Sequence, residues 1–261
     1  MSIDEQINRE INAHGQQWNA MHEGYFSDPV AAGPLIEAIT RYLSGSDADI
    51  LLDLGGGTGF ILRELIAKGA AANINPVNLD CSATQLDAME KKDISCINGF
   101  ISDFIRKDLI NLDKRIFFIM RSVLHYFGRE GLNPILRHIR SQASEGEMFI
   151  HQTACFENPE EARCINFLYR EMGTPKWYPT ISELHESMAN TNWQVIDICP
   201  APALKLSSVE LGQRYGMDSQ TLAKICGSIM EAFGEIENVF QRSPEGFIAY
   251  LHYQICIARA A

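Results

Sequence analysis

Residues 53–59 read Asp-Leu-Gly-Gly-Gly-Thr-Gly and follow the apolar run Ile50-Leu51-Leu52. Glycine at the turn from a strand to a helix reaches left-handed backbone angles and lets another molecule approach the main chain closely. The stretch is therefore read as a ligand cradle at the carboxyl end of a strand, the usual crevice of an open α/β sheet. The glycines follow a Gly-x-Gly-x-Gly spacing through Gly55, Gly57 and Gly59. A dinucleotide fingerprint needs glycine at the sixth position, where this chain has Phe60, and no Gly-Lys-Ser/Thr follows to form a phosphate loop. Other residues suited to chemistry are His125, whose type titrates near neutral pH, and a scatter of His151, Cys155, Cys164 and His185. The scatter matches no structural zinc spacing, and no metal is expected.

The elements that must position these residues alternate along the chain. Residues 3–22 carry apolar positions at helical spacing, and Pro34 is expected to open a helix through Tyr42. Strands are expected at 50–54, "VNLD", "SCING", "RIFFIM" and "EMFIHQTACF", separated by helical stretches at 59–68, "SATQLDAMEKK" and "LNPILRHIRSQA". Such alternation predicts an α/β fold, a doubly wound, mostly parallel sheet with helices on both faces. The pattern breaks at about 157–180 and 207–241, which read as helical lid insertions. The expected organisation is an N-terminal helical cap over 1–34, a Rossmann-like core over 35–155, and the second half of the sheet with its insertions over 156–261.

Three stretches carry a family resemblance. "LLDLGGGTG" resembles the first motif of the class I S-adenosylmethionine-dependent methyltransferases of small-molecule type. "NLDCS" is similar to their second motif, and "FFIMRSVLHYF" to their fourth strand and following loop. The resemblance is continuous over roughly residues 35–155. It implies strand order 3-2-1-4-5-7-6, S-adenosylmethionine as cofactor and S-adenosylhomocysteine as its product. It also implies a cofactor site of Asp53, Gly55, Gly57, Gly59, Asp80, Cys81, Gly99, Phe100, Arg121 and Ser122, closed over by an aromatic from the Tyr25–Phe26 region, Tyr25 being the leading candidate. In that site Asp53 faces the amino group, Asp80 grips the ribose diol, and the Arg121–Ser122 backbone helps hold the amino group. Asp80 has a second reading as a helix cap. One position departs from the family, which often has Gly-Asp after the third strand. Here Gly99 precedes Phe100, and the next acid is Asp103. Packing of Phe100 on adenine is preferred over a reach by Asp103.

The resemblance places His125 in the loop that lines the transfer chamber, as a proton acceptor or an orienting group, with Tyr126 beside it and His151 on the fifth strand as further catalytic candidates. "YREMGTPKWYPT" is the suggested lid segment, with Tyr169, Arg170, Trp177 and Tyr178 as candidate substrate contacts. An arginine there would suit a carboxylate; Arg163 and Arg214 are further basic candidates.

Composition bounds the partners. The chain of 261 residues is 46% hydrophobic and 21% charged, ordinary for a protein with a sizeable core. A formal net charge of −11 disfavours nucleic acid. Seven scattered cysteines without a Cys-x-x-Cys suit a reducing compartment. The polar start "MSIDEQINRE" has no apolar signal core, and no apolar run reaches membrane-spanning length. The expectation is a cytoplasmic monomer or homodimer that methylates a small, aromatic or carboxylate-bearing acceptor. The alternatives are a non-catalytic regulatory or partner protein that binds the same cofactor, or an enzyme that uses it for non-methyl chemistry.

Overall fold

The computed structural model describes residues 22–89, 93–109, 113–174 and 176–261. The helix expected over 3–22 lies almost wholly outside them. A 3-10 turn (His22–Ser27) leads into α1 (Pro29–Leu43), β1 (Ile50–Leu54), α2 (Phe60–Ala67), β2 (Asn75–Asp80), α3 (Ala83–Asp87), β3 (Ser95–Asn98) and α4 (Arg106–Leu109). Then come β4 (Ile116–Arg121), a second 3-10 turn (Leu124–Phe127), α5 (Gly128–Gln142), β5 (Met148–Ala154), α6 (Pro159–Glu171) and α7 (Ile181–Ala189). The chain ends with β6 (Trp193–Ser207), α8 (Ser208–Tyr215), α9 (Ser219–Ala232), β7 (Phe240–Ser243) and β8 (Gly246–Ala260). No described helix is long and apolar enough to cross a membrane.

The sheet order is β3-β2-β1-β4-β5-β8-β6, with β7 paired to β8. This is the expected order with one short strand added before the last. β1 is central and pairs in parallel with β2 and β4. All its residues are buried, so the strand reads as a continuous apolar run. Alternate residues still serve opposite faces. Leu52, Leu54, Phe118 and Met120 pack toward Leu132, Ile135 and Leu136 of α5, whereas Leu51, Phe117 and Ile119 pack toward Leu35, Ile36 and Ile39 of α1 and Leu62 of α2. α1 starts at Pro29, not Pro34. The Asp28 carboxylate accepts the Val30 N–H at 2.8 Å, and this cap followed by proline is the stronger start signal.

The two long antiparallel strands carry the lid. Tyr253 of β8 lies opposite Ala154, the last residue of β5, and opposite Ala201 of β6. Residues 246–252 and 202–207 therefore overhang the carboxyl ends of the parallel strands, at 3.2–3.4 Å of rise per residue. A third core gathers on this overhang: Ile165 and Leu168 of α6, Leu211 of α8, Ile225 and Ile229 of α9, with Leu206, Phe247 and Leu251. The lid thus stands at the same end of the sheet as the glycine loop.

Candidate active site

A cleft of about 1070 Å³, its open mouth included, lies over the carboxyl ends of β1, β2 and β4. Gly55 and Gly57 line it with φ of 75° and 55°, angles that a side chain rarely allows. Gly56 lies between them for lack of space, since a Cβ there would collide with the Asn78 amide oxygen and the Asp53 carboxylate. Gly59 also has a left-handed φ but faces Met89 and does not line the cleft. It turns the chain into α2.

The two strand-end acids behave differently. Asp80 Oδ2 accepts the Gly57 N–H at 2.8 Å, and Oδ1 accepts the Ser82 N–H at 2.8 Å. Ser82, not Asp80, caps α3. Burial pushes the Asp80 carboxyl up from its ordinary value, while the two N–H groups oppose the rise. Asp53 is 1% exposed, and neither carboxylate oxygen has a hydrogen-bond partner among the described residues. Burial, reinforced by the Asp80 charge and opposed by Arg121, pushes its pKa up to about 7. A buried acid without a donor is costly, and a cationic ligand group would relieve it.

The remaining walls come from three loops. Cys81 follows Asp80, and Gly99, Phe100, Ile101 and Ser102 follow β3. Asp103 is exposed, accepts the Ser102 hydroxyl at 2.9 Å and does not itself line the cleft. From β4, Arg121 lines the cleft and donates to the Phe26 and Tyr25 carbonyls at 3.1 and 3.3 Å. Its guanidinium thereby ties the first 3-10 turn to the sheet.

A second, smaller chamber adjoins the cleft and shares Phe26, Ser122 and Tyr126 with it. Ser122 holds a left-handed φ of 60°, rare for a residue with a side chain, and its Oγ is 2.6 Å from the Tyr253 hydroxyl. Buried His125 lines this chamber with its ring against Tyr126, at 4.1 Å between centroids, and stacked on Tyr178 at 5.3 Å. Tyr169 lies on the same wall, with Lys176, Arg214 and Tyr253.

Besides Gly59, four expected residues lie elsewhere. Tyr25 turns from the cleft, donating to the Pro202 carbonyl at 2.5 Å and stacking on Tyr253, and its neighbour Phe26 takes the lining position. His151 is fully buried beside Phe149, and burial drives its pKa down to about 3, which leaves it a neutral core residue. Arg170 is exposed over the Phe167 ring. Trp177 lines neither the cleft nor the main chamber but a small pocket behind His125. Among the described residues no group of three or more His, Cys, Asp or Glu comes together to hold a metal. Sequence reasoning names Phe26 beside Tyr25, and the residues it misses include Ile101, Lys176 and Tyr253. Lys176 sits inside the lid segment already singled out, but only the tertiary fold turns it inward.

No family model matches the chain, and no curated protein matches it significantly in sequence. Solved structures do match. The YcgJ protein from Bacillus subtilis is 13% identical, with a TM-score of 0.62 over 87% of this chain and 97% of its own. The geranyl diphosphate C-methyltransferase from Streptomyces coelicolor, solved with Mg²⁺, geranyl diphosphate and S-adenosylhomocysteine, is 12% identical over 88% of this chain and 80% of its own, at a TM-score of 0.53. The magnesium protoporphyrin IX methyltransferase from Synechocystis, with bound S-adenosylmethionine, is 9% identical over 89% and 81%, at 0.51. The chain has the Rossmann-like methyltransferase fold. Within that methyltransferase fold, the cleft described above sits at the carboxyl ends of the central strands, where open α/β sheets bind their ligands.

Proposed function

We propose that this protein transfers a methyl group from S-adenosylmethionine to a small-molecule acceptor. The observation that carries the reading is the continuity at Phe26, Ser122 and Tyr126, which joins a second, small pocket to the cleft.

The cleft fits the cofactor's functional groups. Unpaired Asp53 suits an ammonium, and Asp80 keeps lone pairs for a diol after accepting two N–H groups. Phe100 and Ile101 offer apolar surface to a flat base. When bound, S-adenosylmethionine supplies an electrophilic methyl on a sulfonium, and the acceptor's lone pair forms the new bond while the old bond's electrons stay with sulfur.

The chain's own contribution is alignment and exclusion of water. Phe26 and Tyr126 present aromatic rings at the junction, and such faces attract positive charge. Ser122 and Tyr253 place a pair of hydroxyls there. His125 lies in the chamber, where it can take a proton from a hydroxyl or amine acceptor.

The test is calorimetry with S-adenosylhomocysteine, followed by transfer of labelled methyl to a panel of small acceptors. Binding with transfer supports the proposal. Failure of both S-adenosylmethionine and S-adenosylhomocysteine to bind the folded protein overturns it, and binding without any transfer points to the non-catalytic alternative.

A further inference from the structure

We infer that Ser122, held in place by Tyr253, is the side chain that distinguishes S-adenosylmethionine from S-adenosylhomocysteine, through a contact to the transferable methyl group. The inference rests on the methyltransferase reading and assigns a new role to one residue of the same site.

Ser122 is a backbone outlier. The described residues other than glycine with a left-handed φ are Asp93, Ser122, Asn192 and Asn238. Aspartate and asparagine commonly tolerate that conformation, and serine does so far less. Of the four, Ser122 alone lines the cleft. Such strain persists only where the surroundings hold it, and it gathers at ligand sites. Here the Ser122 N–H donates to the Gln152 carbonyl at 2.8 Å, and Oγ lies 2.6 Å from the Tyr253 hydroxyl. Tyr253 is itself fixed, buried and stacked on Tyr25 at 5.7 Å between centroids. The Tyr25 hydroxyl in turn donates to the Pro202 carbonyl and accepts the Gln152 amide. The serine oxygen is therefore preset, with the fold carrying the strain.

Position and chemistry decide what this oxygen meets. Phe26, Ser122 and Tyr126 stand where the cleft and the small pocket join. Phe26 and Tyr126 bring rings, whereas Ser122 brings an aliphatic hydroxyl oxygen. Burial pushes the Tyr253 phenol well up from its ordinary value, so it keeps its proton and the hydroxyl pair stays neutral. Whichever hydroxyl donates, Ser122 Oγ retains at least one free lone pair. A sulfonium withdraws electrons from its methyl group, which makes those C–H bonds better donors than ordinary ones, and an oxygen lone pair attracts them. S-adenosylhomocysteine has neither the methyl nor the charge. The contact thus exists only before transfer, and its loss favours exchange of the spent cofactor for a fresh one.

The experiment uses the full chain. Calorimetry gives the affinities of S-adenosylhomocysteine and S-adenosylmethionine for the wild type, Ser122→Ala, Ser122→Gly, Tyr253→Phe and Tyr126→Phe. Glycine suits the left-handed φ, so Ser122→Gly removes the hydroxyl without adding strain. In both Ser122 variants the preference for S-adenosylmethionine over S-adenosylhomocysteine is expected to fall by about threefold or more, the scale of one weak hydrogen bond of this kind. The fall is expected in S-adenosylmethionine affinity, with S-adenosylhomocysteine affinity held. Tyr253→Phe keeps the ring but frees the serine hydroxyl to rotate, and part of the preference is expected to go with it. Tyr126→Phe is expected to leave the preference intact. The inference is overturned if the preference falls by less than this in Ser122→Gly, if both ligands weaken together, or if Tyr126→Phe lowers the preference as much. If the folded wild type binds neither ligand, the methyltransferase reading fails and the inference with it.

Discussion

The Asp80 carboxylate accepts the Gly57 backbone N–H at 2.8 Å, so the acid that ends β2 is bonded to the glycine loop that follows β1. Asn78, two residues earlier on β2, donates to the Gly57 carbonyl at 2.9 Å. One strand thus grips both polar groups of one glycine, and the loop is held open before any ligand arrives. Asp80→Ala removes that support together with the proposed diol contact. Affinity for S-adenosylhomocysteine is expected to fall by roughly 1.5–3 kcal/mol, the scale of hydrogen bonds to charged groups. Calorimetry on the folded variant checks it; unchanged affinity would move the ribose elsewhere.

Asp53 predicts a proton linked to cofactor uptake. Its pKa, pushed up to about 7, lies above the ordinary carboxylate value, so the ligand-free fold holds a proton that the unfolded chain releases between about pH 4 and 7. On this group's account, stability is greatest at the acid end of that window and declines as pH rises to about 7, by roughly 4 kcal/mol at most. Asp53→Asn should therefore raise the melting temperature of the ligand-free protein at pH 8. An ammonium ligand requires the ionised form. Affinity should then rise with pH up to about 7 and level off, with release of about half a proton at pH 7. Titrations in two buffers of different ionisation heat read the proton directly, and Asp53→Asn should abolish its release.

Much of the cofactor half was legible from residue order because its signals are local. Asp53 and Asp80 end apolar runs, and a strand end in a parallel sheet is where a ligand crevice opens. The lid half depended on pairing between distant segments. Tyr253 reaches the chamber only because β8 runs antiparallel to β5 and overhangs its end, a register set by residues nearly a hundred positions apart. His151 illustrates a different limit. Every residue of β5 is buried, so apolar alternation gives no phase to say which side chains meet the cleft. The exchange of Tyr25 for Phe26 is a shift of one position in a 3-10 turn, finer than periodicity resolves.

Gly56 offers a purely steric test. Its φ is not among the left-handed ones, so alanine is acceptable to the backbone, but the new Cβ would meet Asn78 and Asp53. Gly56→Ala should cost roughly 1–3 kcal/mol of stability, the usual range for overpacking. It should also weaken S-adenosylhomocysteine binding. Denaturant unfolding and calorimetry on the same sample check both; a neutral result would mean that the loop relaxes freely and does not hold a preset shape.

His125 separates binding from chemistry. Its ring belongs to the chamber and not to the cofactor cleft, packed between Tyr126 and Tyr178. If it takes the acceptor's proton, His125→Ala should lower kcat by about a hundredfold, the lower end for a positioned acid or base. Cofactor affinity should change little, because no cleft wall is removed. Truncation also opens space beside Tyr178, so a rise in KM alone would identify a shaping role. His125→Gln distinguishes the two, since it preserves much of the volume but cannot accept and pass on a proton at neutral pH. A proton acceptor predicts that both variants lose kcat, whereas a wall predicts that kcat holds in both and that glutamine restores KM.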